Sequence, residues 1–252
     1  MSVARKLCAV LLSLAVTAPG LAQNARGTPG GTPRENVANR LAASLGGSTL
    51  SMMEACGAVT DAQRKEALER MTREATKSNP AAEASFTREF YYAFTMLRIN
   101  FNSFTPTHKK QVCEALKDKD VSFIVPGMAK KATEAAQGAP GAPMPSVVGP
   151  TLTPAEMVSM SGRTEGLARA CGLYANAEVQ RVLELRKQGL LKEAAQVSMA
   201  KAEFDRAYEQ GVSEAQADIH SLPSQLCGEM QQDAQWILSN LPFVTQRLQE
   251  GG

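Results

Sequence analysis

Apolar positions recur every three to four residues along most of the chain, the period of a helix with one buried face. The pattern is sharpest at Phe86, Phe90, Ala93/Phe94, Leu97, Phe101 and Phe104, which predicts one long helix ended by Thr105-Pro106. Upstream, Thr32-Pro33-Arg34-Glu35 predicts a helix start, because Thr can cap, Pro suits the first helical position and Glu suits the positive end. That helix is expected to break near Gly46-Gly47 and to restart at Ser48 or Thr49. It then reaches Cys56, where Gly57 can supply a left-handed end. A second helix is expected from Asp61 to about Lys77, with Ala67, Leu68, Met71 and Ala75 on one side. After the Phe-rich helix, Pro106 starts a fourth, buried along Val112, Cys113, Leu116 and then Val121 to Val125, and stopped by Pro126-Gly127.

The second half repeats this order. Thr153-Pro154-Ala155-Glu156 reads as another start, followed by Met157, Met160, Leu167, Ala168 and Cys171 on one face and by Gly172. Asn176 can cap the next helix, which carries Val179, Val182 and Leu183 and is expected to be interrupted at Gly189. A long helix is then expected through Val197, Ala200, Phe204, Ala207/Tyr208, Gly211/Val212, Ala215 and Ile219. Pro223 opens the last, with Leu226, Cys227, Met230, Ala234, Ile237, Leu238 and Leu241 as its stripe. No alternating run of Val, Ile or Thr is long enough for a strand, so the expected class is all-α.

The two halves also match residue by residue. At a spacing of 115, Ala55-Cys56-Gly57 falls on Ala170-Cys171-Gly172. At 114, Phe90, Ala93, Gln111 and Cys113 fall on Phe204, Ala207, Gln225 and Cys227, with Phe94 opposite Tyr208. Ala and Leu matches carry little weight in an Ala-rich helical chain, but the cysteines, glycine and phenylalanine together predict a tandem duplication. The expected organisation is a signal peptide over 1–22, a disordered arm over 23–31 and a helical unit of about four helices over 32–126. A Pro/Gly/Ala linker over 127–152, a second such unit over 153–245 and a tail over 246–252 complete it.

Composition adds a compartment. Arg5 and Lys6 precede an apolar run from Leu7 to Val16 that is too short to span a bilayer, and Gly20-Leu21-Ala22 offers a signal-peptidase site. Cleavage there predicts an exported chain, periplasmic or extracellular, with no stable membrane span left. The mature chain keeps Cys56, Cys113, Cys171 and Cys227, an even number that predicts two disulfides. Four cysteines allow three connectivities, and the repeat favours 56–113 with 171–227. Aromatics are only 5%, so each core is thin, the condition in which a covalent staple contributes most.

Charge excludes rather than suggests. Of 27 Lys+Arg and 25 Asp+Glu, cleavage removes Arg5 and Lys6 and leaves the two signs equal. Nucleic-acid binding needs a cationic excess to displace counterions, so no nucleic acid is expected as a partner.

The chemistry-bearing residues form no recognisable constellation. The glycines of 27–31 lack the Lys of a phosphate loop, and no Ser lies in a Gly-x-Ser-x-Gly turn. His108 and His220 could serve as a metal ligand or general base, but each reads as a polar residue at a helix junction. Eleven methionines, including Met52-Met53 and Met157/Met160, raise a copper reading, against which most lie on apolar stripes. Glu214/Asp218 and Glu66/Arg70 read as solvated surface charges. Tyr91 and Tyr92, where the second copy has Asp205 and Arg206, are the candidate partner contacts if exposed; otherwise one of them packs under the linker or against the second unit.

No catalytic, cofactor-binding or metal residue is therefore assigned, and no cofactor is expected. The expected function is that of an exported, non-enzymatic protein acting by contact with a protein partner, as a binding module, inhibitor or chaperone-like factor. Two alternatives stand beside it. One is an enzyme whose site forms only in three dimensions between the units. The other is a metal or small-ligand carrier using Met and His.

Overall fold

The computed structural model describes residues 33–117, 153–221 and 225–250. The expected signal peptide, arm and linker lie outside the described residues, as does the 121–125 continuation of the fourth helix. Among the described residues the secondary structure is helical throughout, with no strand. In chain order the α-helices are α1 (Pro33–Ala55), α2 (Asp61–Ala75), α3 (Glu83–Asn102), α4 (Pro106–Leu116), α5 (Pro154–Ala170), α6 (Ala177–Gln196), α7 (Lys201–Asp218), α8 (Leu226–Ser239) and α9 (Leu241–Gln249).

The helix ends follow from local chemistry. Thr60 caps α2 and Thr153 caps α5 by the same reciprocal device: the Thr hydroxyl accepts from the backbone three residues on, while Gln63 or Glu156 reaches back to the Thr amide. Asn176 accepts from the amides of Glu178 and Val179 at the start of α6. After α1 and α5 the chain turns through Gly57 and Gly172, with φ of +69° and +74°, a left-handed conformation in which a Cβ is strained.

Contacts divide the chain into two compact units. The first takes residues up to Arg98 and resumes at Pro106; the second takes Ile99–Thr105 and everything described beyond 152. The last turn of α3 therefore belongs with the second unit.

In the first unit the aromatic stripe behaves as its period dictates. Phe86, Phe90 and Phe94 of α3 pack with Leu41, Ala42, Ala43 and Leu50 of α1 and with Ala67, Leu68 and Met71 of α2. A disulfide joins Cys56, just beyond α1, to Cys113 of α4. In the second unit, Val158 of α5 packs with Phe204, Tyr208 and Val212 of α7 and with Ala194 of α6. Leu167 and Ala168 of α5, Ala215 of α7, and Leu226 and Met230 of α8 make a second cluster, against which Cys171 lies. Cys171 is bonded to Cys227 of α8. Both bridges span the same 5.2 Å between α-carbons and close loops of 57 and 56 residues. In the chain-entropy picture a loop of that size is worth about 4 kcal/mol, a large part of a small domain's stability.

Three helix boundaries differ from the sequence reading. First, α1 runs unbroken through Gly46-Gly47. A Cβ on Gly47 would stand 2.2 Å from the Phe90 carbonyl oxygen of α3, so the glycine is there to admit a neighbouring backbone, not to end a helix. Second, α6 continues through Gly189, and the break falls at Val197–Ala200. Ser198 takes a left-handed φ of +64° there, and Val197 is 59% exposed instead of lying on the buried stripe. Third, the last predicted helix is two, because the chain turns at Asn240 and Pro242 sits in the first turn of α9, which extends to Gln249.

The second unit has its own close approach. A Cβ on Gly162 would lie 2.0 Å from the Tyr208 carbonyl, one on Gly166 2.5 Å from that of Val212, and one on Gly211 1.9 Å from that of Ser159. All three contacts are to backbone, so α5 and α7 cross as near to one another as helices without side chains at the crossing can.

Candidate functional site

The most chemically loaded place in the second unit is a buried carboxylate. Glu165 of α5 is 7% exposed and accepts a 2.7 Å hydrogen bond from the Tyr208 hydroxyl of α7. Its other oxygen accepts from Arg169 Nε, one turn along α5, at 3.0 Å. Lys187 of α6 places its Nζ 4.2 Å from the centre of the Tyr208 ring. Burial, and then the hydrogen bond to Glu165, holds the Tyr208 phenol far above its ordinary value. At neutral pH Tyr208 is therefore a donor and Glu165 its acceptor. Arg169 also stacks on Tyr174, 4.4 Å from the ring centre.

A second polar hub in this unit is Arg163, 5% exposed. Its Nε donates to the Ser103 carbonyl at 2.9 Å, and its two terminal nitrogens reach Glu214 at 3.2 Å and Asp218 at 3.1 Å. In the same unit, Arg186 of α6 donates to the Asn100 side chain. The first unit has a comparable hub. The buried Arg64 of α2 donates to Glu54 at 2.7 Å, to Asp61 and to the Tyr91 hydroxyl, with its guanidinium 5.0 Å from the Phe94 ring centre. Arg98 meets the other oxygen of Glu54 at 2.9 Å. Burial alone would lower the Arg64 pKa, but the bonds to Tyr91 and Glu54 outweigh it and hold the guanidinium charged.

These groups form hydrogen-bonded knots within their own units. Each buried charge meets an opposite charge or an oriented dipole, which is what makes burial of an arginine or a carboxylate tolerable. The pattern is that of structural fastening.

The residues singled out in the sequence fall as follows. The four cysteines pair as the repeat favours, 56 with 113 and 171 with 227. Tyr92 is 7% exposed, and Tyr91 is half-buried against the first core, with its ring perpendicular to that of Phe90 and its hydroxyl accepting from Arg64. The exposure on which their role as partner contacts depended is therefore not met at Tyr92. His108 is half-buried in the first turn of α4 and His220 is exposed. Met52, Met53, Met71, Met160 and Met230 are buried, Met71 in the first unit's apolar core and Met230 in the cluster of α5, α7 and α8. Among the described residues no group of three His, Cys, Asp or Glu could hold a metal ion. Glu66, Arg70, Glu214 and Asp218 all keep much of their side chains at the surface as expected; Glu66 pairs with Arg70, and Glu214 and Asp218 also reach the buried Arg163.

Sequence reasoning missed the Glu165–Tyr208 pair, although the signal was present. In the 115 and 114 registers Glu165 falls opposite Leu50 and Tyr208 opposite Phe94, two residues of the first apolar core. At those spacings an acid and a phenol stand where the first half has two apolar side chains, and that coincidence marks the pair. Among the described residues no helix is long and apolar enough to cross a membrane. No protein-family model, curated protein or solved structure matches the chain.

Proposed function

We propose that the chain is an exported, non-enzymatic protein that works by contact with a protein partner in a periplasm or outside the cell. The observation that carries the reading is the pair of disulfides, Cys56–Cys113 and Cys171–Cys227, each closing one helical unit. Such staples persist in oxidising compartments and suit small cores that must survive without chaperones. The signal-like pattern of residues 1–22 points the same way.

The same reading takes the two units as copies of one ancestral unit. Its support is the coincidence of features at a shared spacing: the left-handed Gly57 and Gly172, the close-approach Gly47 and Gly162, the two bridges, and Phe90 with Phe204 at the centre of each core. Contact rather than catalysis is favoured because Arg64, Arg163 and Glu165, the buried charges with the most chemical potential, are engaged in holding helices together.

The test is affinity capture from the native exported fraction with the chain that begins at Gln23. A protein retained by the oxidised chain, rebinding when purified and released on reduction, supports the reading. No reproducible partner, together with a melting shift on adding a small molecule or Cu(I), overturns it in favour of an enzyme or a carrier.

A further inference from the structure

We draw no further inference here: the strongest candidate, the buried side-chain cluster of Glu165, Tyr208 and Arg169 where α5 meets α7, belongs to the site already described and is filled by its own hydrogen bonds.

Discussion

Tyr208 donates a 2.7 Å hydrogen bond to the buried carboxylate of Glu165, at positions where the first unit holds the apolar pair Phe94 and Leu50. If the two units are copies, as proposed, they close corresponding parts of their cores by different physics. An apolar pair needs only shape, whereas the acid–phenol pair needs both partners at once. Tyr208→Phe should cost about 1–3 kcal/mol, because it removes a buried donor to a charged acceptor. Glu165→Leu should cost a similar amount by stranding the phenol. The double variant, which puts an apolar pair in place of the acid and the phenol, should lose less than the two single losses added together, by about 1 kcal/mol. Urea unfolding of the four proteins gives the coupling, and strict additivity would show that the pair is not a unit.

The same pair makes a prediction for alkaline pH. The folded Tyr208 phenol lies above its unfolded value. Its contribution is then complete below about pH 10, the ordinary tyrosine range, and is lost as pH rises beyond it toward the folded value. Stability of the wild-type chain should therefore fall more steeply above about pH 10 than that of Tyr208→Phe, in which this titration is absent. Parallel melting-temperature profiles for the two proteins would contradict the assignment.

Glycine substitutions separate close approach from helix breaking. A Cβ on Gly211 would stand 1.9 Å from a backbone oxygen, so Gly211→Ala must push α5 and α7 apart. The expected cost is about 1–3 kcal/mol or more, as for an overpacked core. Gly189 lies inside α6 with no atom within 4 Å of a built Cβ. Gly189→Ala should stabilise the chain by about 1 kcal/mol through helix propensity alone. Thermal melts decide it, and equal effects of one sign would refute the distinction.

The sequence was most legible where one local rule acts alone. The Phe86-to-Phe104 stripe, the Thr153-Glu156 cap, the Gly57 and Gly172 turns and the cysteine pairing all follow from periodicity, capping chemistry or repeat spacing. Legibility failed where a residue serves a distant neighbour. Gly47 reads as a breaker because its reason, the Phe90 carbonyl, lies on another helix. Glu214 and Asp218 keep about half of their side chains exposed, as their pattern implies, but the buried Arg163 that they also hold is more than fifty residues away and leaves no local signal. Val197 fits the apolar register of the next helix, yet the chain turns at Ser198 and leaves it exposed. Glu165 is the most informative case: a charged residue in the middle of α5 is ordinary by period, and only comparison with Leu50 in the other half shows it to be exceptional.

The most direct measurement is a non-reducing peptide map, with intact mass, of the chain recovered from the native exported fraction. The expected result is an N-terminus at Gln23 and two bridges, Cys56 with Cys113 and Cys171 with Cys227, at full occupancy. Free thiols at these four positions, or an uncleaved N-terminus on a chain confined to a reducing compartment, would contradict the reading of an exported protein built from two stapled units.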